Sequence, residues 1–165
     1  MAASHRLRFL RLVKARLLTI PELTPRVVIG WRHWGEVADD RFPCAFVDSE
    51  EVSPPYTFLT GQQIEGLFAF GVWGYAKPVG PFPTEDDALE ARVTAREDLL
   101  KVVAESLLSD AMAKAINDDL VAAPEQTGVT RLDLESVDTD AGLIEGFGMF
   151  RLRCVGRLHV TLGSF

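Results

Sequence analysis

The chain has 165 residues, of which 47% are hydrophobic and 25% charged, and its formal net charge is −7. This length suits one domain, 1–165, and the composition supplies enough apolar side chains to bury a core, which excludes a disordered chain. The negative balance speaks against sequence-specific nucleic-acid binding, and two cysteines are too few for a disulfide framework.

The charge is unevenly spread. Arg6, Arg8, Arg11, Lys14 and Arg16 open the chain with no acid among them, while the remainder carries twelve basic and twenty-four acidic residues. Ser4 is a good N-cap, and Leu7, Leu10, Val13 and Leu17 follow at helical spacing, which predicts a helix to about Thr19. Pro21 and Pro25 end it. The basic residues lie on the other side of that helix and could dock onto an acidic neighbour. They also interrupt the apolar stretch that a secretory signal needs, although an acid-free amphipathic start is compatible with a mitochondrial-type presequence. No run approaches the ~18 apolar residues of a membrane span, so the chain is expected to have no membrane partner.

Arg26 to Trp34 reads as a strand with Val27, Ile29 and Trp31 on one face, and Phe42 to Asp48 as a second. Pro43 belongs at the start or edge of that strand. Ser49 to Thr60 is acidic and then proline-rich around Pro54-Pro55, which predicts a long loop. Gln62 to Lys77 is the most β-like segment. Ile64, Phe68, Phe70 and Val72 share one face; Leu67, Ala69, Trp73 and Tyr75 share the other. Such a strand needs cover on both sides, and the chain is expected to supply only one cover from its own helices. Gly66, Gly71 and Gly74 within it suggest bulges or close backbone approach.

Thr84 and Asp87 start the main helix, whose face is Leu89, Val93, Leu100, Val103 and Leu107. Ala111 to Leu120 is either a short helix or a loop. A strand follows from Gly128, with Val129, Leu132 and Leu134 apolar and Asp133, Glu135, Asp138 and Asp140 making an acidic outer face; Gly142 lies in the turn. The last strand, Phe147 to Leu162, is long against a usual strand of about 5–6 residues, so a bend at Gly156 or a projection beyond the sheet is expected. Phe150, Leu152, Cys154, Leu158, Val160 and Leu162 face one way; Arg151, Arg153, Val155, Arg157, His159 and Thr161 face the other. Because strands cluster rather than alternate with helices, the fold class is α+β. It is expected to be a two-layer sandwich with a mainly antiparallel sheet of four to five strands and two main helices on one face.

Catalytic patterns are missing from the sequence. It has no phosphate loop, CxxC, HExxH or EF-hand spacing, and Gly71-Val-Trp-Gly74 lacks the lysine and the strand-to-helix setting of a nucleotide loop. His5 reads as solvated, His33 as stacked between Trp31 and Trp34, and His159 as part of the arginine face. The pairs Asp39-Asp40, Glu50-Glu51 and Asp118-Asp119 read as solvated turns. Cys44 and Cys154 alternate with apolar residues and read as buried free thiols in a reducing cytoplasm, with one disulfide left open. No catalytic residue, metal or cofactor is therefore expected. The candidate sites are surfaces: Arg151, Arg153, Arg157 and His159, whose partner is either the acidic strand beside them or a neighbouring subunit, and Trp73 and Tyr75, which belong either to the core or to an oligomer interface.

The order of these elements resembles a known family. Phe42-Pro-Cys-Ala-Phe-Val-Asp48, the acidic and proline segment, the long apolar strand, the Thr-capped helix and the stretch Leu107 to Val121 are similar to the tail terminator proteins of long-tailed bacteriophages, also called minor tail or tail-completion proteins. The resemblance implies a virion protein of the tail or neck, made in the host cytoplasm. It implies a hexameric ring that caps the tail tube, stops its polymerisation and offers a docking surface to the head connector. Its partners would be further copies of itself, the major tail tube protein and the connector, with genome DNA passing through the lumen. The alternatives are another head-tail neck component, or a small ligand-binding or enzymatic domain with a pocket at Trp31, His33 and Trp34. On the ring reading, changing Arg151, Arg153 and Arg157 to Glu should weaken assembly and leave the fold intact.

Overall fold

The computed structural model describes residues 5–51, 56–60, 63–121, 126–140 and 146–161. Ser4, Pro54, Pro55, Gly142 and Leu162 lie outside them, as do the side chains of His5, Arg6, Trp34, Ile64, Asp119, Val129, Leu158, His159, Val160 and Thr161. Helix α1 (His5–Leu17) buries Phe9, Leu10, Val13 and Leu17, close to the expected stripe but with Phe9 added. After it the hydroxyl of Thr24 donates to the carbonyls of Leu18 (2.6 Å) and Ile20 (3.1 Å), satisfying groups that the helix end leaves open.

Strand β1 (Val27–Ile29) is far shorter than expected. Gly30 has a φ of 101°, a left-handed conformation that turns the chain away, and its N–H donates to the Val47 carbonyl at 2.8 Å. Trp31 thus leaves the face of Val27 and Ile29 and stands 48% exposed. Strand β2 (Cys44–Glu50) pairs parallel with β1, and antiparallel with β4 (Gln63–Ala76).

Most of the predicted loop is strand instead. β2 reaches Glu50, and β3 (Tyr56–Thr60) pairs with the first residues of β4, along the same edge that β2 occupies further on. Tyr56-Thr-Phe-Leu-Thr60 is made of β-formers. The nearby prolines, which lack an N–H for a ladder, had masked that signal.

Helix α2 (Glu85–Leu107) begins as expected, with the Thr84 hydroxyl accepting from the Asp87 N–H at 3.1 Å. Its buried residues, Leu99, Val103, Ser106 and Leu107, all lie in its second half, while Leu89 and Val93 are exposed. The reason is that Arg92 and Arg96, not leucines, occupy the sheet-facing turns nearer its start. A Cβ on Gly148 would lie 2.7 Å from both the Arg92 carbonyl and the Arg96 Cβ, so helix and strand touch there. Helix α3 (Asp110–Val121) is a true helix, capped by the Ser109 hydroxyl accepting from the Met112 N–H at 3.2 Å, and it buries Met112.

The chain ends in the hairpin β5 (Gln126–Thr139) and β6 (Gly148–Thr161). β6 does not break at Gly156; it pairs with β4 from Gly148 to Thr161. That glycine instead admits the Phe9 ring, which would stand 3.3 Å from a Cβ. The result is a six-stranded mixed sheet in the order β1-β2-β4-β6-β5, with β3 also on β4. This α+β sheet with helices has one strand more than expected.

One face of the sheet carries Val27, Ala45, Val47, Phe68, Phe70, Val72, Phe150, Leu152 and Cys154 against α1, α2 and Met112 of α3. The opposite face has its own smaller cluster of Cys44, Phe46, Tyr75 and Phe147, with Val37, Phe42, Trp73 and Met149. Its cover comes from the connector between β1 and β2, which makes short 3-10 turns at Trp34–Glu36 and Asp39–Arg41. The chain therefore supplies much of the second layer that seemed to demand a partner.

Replacing Gly148 by Ala is expected to cost about 1–3 kcal/mol, because the new methyl meets backbone rather than a movable side-chain tip. The midpoint of urea unfolding measures this; an unshifted midpoint would show that α2 does not rest on β6.

Candidate subunit interface

Three strands build the arginine face. Register places Trp73 beside Arg151, Gly71 beside Arg153 and Leu67 beside Arg157, with Asp138 on the far side of Arg151. Across this array lies a residue that the sequence reading had assigned to a solvated turn. Glu50, at the end of β2, reaches over β4 to β6, and its side chain is only 11% exposed. Arg151 donates from Nε and Nη2 to one carboxylate oxygen at 3.0 and 2.8 Å, and Arg153 donates from Nε to the other at 2.8 Å. Arg153 also donates to the Glu51 carbonyl at 3.1 Å.

Gly71 makes this crossing possible. A Cβ there would lie 2.4 Å from the Glu50 carboxylate and 2.5 Å from the Trp73 ring. Gly71 thus marks a close approach, one of the two roles expected of the β4 glycines. Gly74 does the same on the helix side, where the Phe150 ring fills the space that a Cβ would take, at 2.2 Å.

β5 completes the ionic row. Asp138 stands 3.6 Å from Arg151, Glu135 meets Arg153, and Asp133 stands 3.9 Å from Arg157. The Arg151 guanidinium also lies 5.6 Å from the Trp73 ring centre. Of the two partners considered for the arginines, the structure gives the intramolecular one. Register sets His159 between Glu65 and Gly128, and its side chain lies outside the described residues.

Trp73 is half-buried, whereas Tyr75 is only 1% exposed and its hydroxyl donates to the Arg32 carbonyl at 3.1 Å. Tyr75 is therefore a core residue and cannot serve a neighbouring subunit. Burial pushes its hydroxyl up to about 12, and does the same to the Cys44 and Cys154 thiols. Both cysteines are free and buried, so the disulfide alternative falls away.

Asp140 also departs from the outer acidic face. Its side chain is 5% exposed; Arg96 donates to its carbonyl at 2.6 Å, and the Met149 N–H donates to its carboxylate at 2.8 Å. The basic helix is likewise partly engaged, since Arg16 donates to the Ser106 carbonyl and the Ser109 hydroxyl, both at 3.3 Å. Among the other acids, Asp39 accepts from Lys77 at 3.0 Å and Asp118 from Lys114 at 3.2 Å.

His33 is exposed, edge-on to Trp31, and its Nδ1 accepts from the Gly35 N–H at 3.2 Å. The neighbouring cavity of about 400 Å³ is walled by Arg26, Val28, Val37 and Phe46 among others, and neither Trp31 nor His33 lines it. Among the described residues no group of three or more His, Cys, Asp or Glu is placed to hold a metal ion. Among them, too, no helix is long and apolar enough to cross a membrane. No family model matches the chain, and no curated protein does.

Glutamates at 151 and 153 would crowd carboxylates around Glu50, so reversing these arginines is expected to lower stability as well as alter any assembly. Glu50→Ala is expected to cost about 1–3 kcal/mol and Glu50→Gln about half of that, because an amide still fits over Gly71 and accepts one bond. Equal urea midpoints for wild type and Glu50→Ala would reduce the row to solvated surface. A second expectation concerns alkali. The unfolded thiols ionise near 9.0 and the folded ones near 12, so across that window the unfolded chain sheds protons that the folded chain keeps. Stability should be intact below the lower value and fall as pH rises through the window. A urea midpoint that stays flat to about pH 11 would contradict it.

Proposed function

We propose that the chain is a structural virion subunit. It forms a hexameric ring that caps the tail tube, ends tube polymerisation and presents a docking surface to the head connector. The sequence pattern from Phe42 through Val121 supports this by its resemblance to tail terminator proteins. The observation that carries the reading is lateral construction: one continuous sheet, with long antiparallel strands at its centre and an unpaired outer edge on both β1 and β5 among the described strands. Such a subunit offers different surfaces at its two ends, and a heterologous contact between them closes into a ring when the rotation allows.

The ligand-binding alternative is weaker, since His33 stays outside the cavity wall. Purified chain is expected to run as a hexamer by native mass spectrometry, alone or on tail tubes, and to cap tube ends in electron micrographs. A species that stays monomeric at high concentration and leaves tube ends bare would overturn the proposal. Particles carrying the chain at the head side of the neck would reassign it to the connector.

A further inference from the structure

We infer that the cavity beneath the β1–β2 connector binds a small organic phosphate, a phosphomonoester with an apolar body. The site belongs to a single copy of the chain. It therefore does not rest on the ring reading, and adds to a structural role rather than replacing it.

The walls follow from strand alternation. Val27 and Ala45 are register partners and both enter the main core, so Val28, Cys44 and Phe46 beside them fall on the opposite face of the sheet. Arg26 continues that ladder, its carbonyl accepting from the Ala45 N–H at 3.0 Å. The connector then folds over this face. Its turn at Trp34–Glu36 brings Glu36 to the cavity, and Val37 follows. The next turn, Asp39–Arg41, is closed by the Arg41 N–H donating to the Ala38 carbonyl at 2.9 Å, and Ala38 and Arg41 complete the wall. The enclosed volume is about 400 Å³, within the ~300–1,000 Å³ usual for small-molecule sites.

Arg26, Arg32 and Arg41 line this space with a single acid, Glu36, so three guanidiniums against one carboxylate leave a formal surplus of two positive charges. None of the three has an ion-pair partner among the described residues. The arginines of β6 differ, since carboxylates of the same chain meet them. Arg26 is held in place by donating from Nη1 to the Phe42 carbonyl at 2.8 Å, which leaves most of its donors for a ligand. Arg32 and Arg41 are exposed. Asp39 and Asp40, in the same turn as Arg41, do not line the cavity, and Asp39 is held by Lys77 at 3.0 Å.

Guanidinium forks suit the oxygens of a phosphate, and a phosphomonoester carries about −1.5 to −2 charges near pH 7, which matches the surplus. A bare anion would leave the rest of the wall unused. Val28, Val37 and Phe46 are apolar, and Val28 is 37% exposed, so covering it with an apolar body adds affinity. Cys44 also lines the cavity, but burial pushes its thiol up to about 12 and keeps it protonated. The site is therefore one for binding and not for thiol chemistry.

The test is calorimetric titration of the full chain with 1-naphthyl phosphate, and with inorganic phosphate and 1-naphthol as its two halves. Naphthyl phosphate should bind at least tenfold more tightly than either half. Arg32→Gln with Arg41→Gln should weaken it at least tenfold, and the urea midpoint should stay at the wild-type value because both residues are exposed. Val28→Trp, which fills the recess and keeps all three arginines, should weaken it as much. Inorganic phosphate binding as tightly as the ester would reduce the rim to a basic surface patch and overturn the inference. Unchanged binding in either variant, or no binding to wild type at millimolar ester, also overturns it. A hexamer that caps tubes but binds no ester leaves the ring reading intact while this inference falls.

Discussion

The structure depends on how much the central strand β4 gives up at two positions. Gly71 and Gly74 lie on opposite faces, and each leaves the room a side chain would take. Through one gap Glu50 reaches from β2 to the arginines of β6; into the other fits the Phe150 ring, at the middle of the main core. A carboxylate this shielded from water is tolerated because both its oxygens are met by guanidiniums. The two crossings tie β2, β4 and β6 together from above and below.

This arrangement divides the second face of the sheet. Towards the Tyr75 end, aromatic side chains lie under the β1–β2 connector; towards the middle, the ionic row takes over. The same chain thus closes most of the face that an alternating apolar strand seemed to leave for a partner. What stays open includes the β1 end, which presents a recess rimmed with arginine. Among the described strands, β1 and β5 are the outermost at the two ends.

The helices follow the same economy. α2 rests on the sheet at Gly148 and buries its second half, while Arg96 fixes the β5–β6 end through Asp140. Arg16 of α1 sits against the carbonyl of Ser106 near the end of α2, where a positive charge is favoured. Basic residues read from composition as a docking face are thus, in part, struts between helices.

Local patterns settled a good deal without the fold. The capped start of α2, the stripe of α1, the two faces of β4 and β6 and the α+β class all follow from side-chain period and from groups that bond within a few residues. The acidic strand next to the arginine row was likewise visible as charge. Other features depend on residues far apart in the chain. That Glu50 is a bridge and not a turn is decided some hundred residues away, by Arg151 and Arg153 and by space at Gly71. Tyr75 became core because the connector folded over it, and Leu89 and Val93 remained exposed because α2 meets the sheet through Arg92, Arg96 and Leu99 instead. Periodicity tells which residues share a face; only tertiary packing determines what, if anything, covers that face.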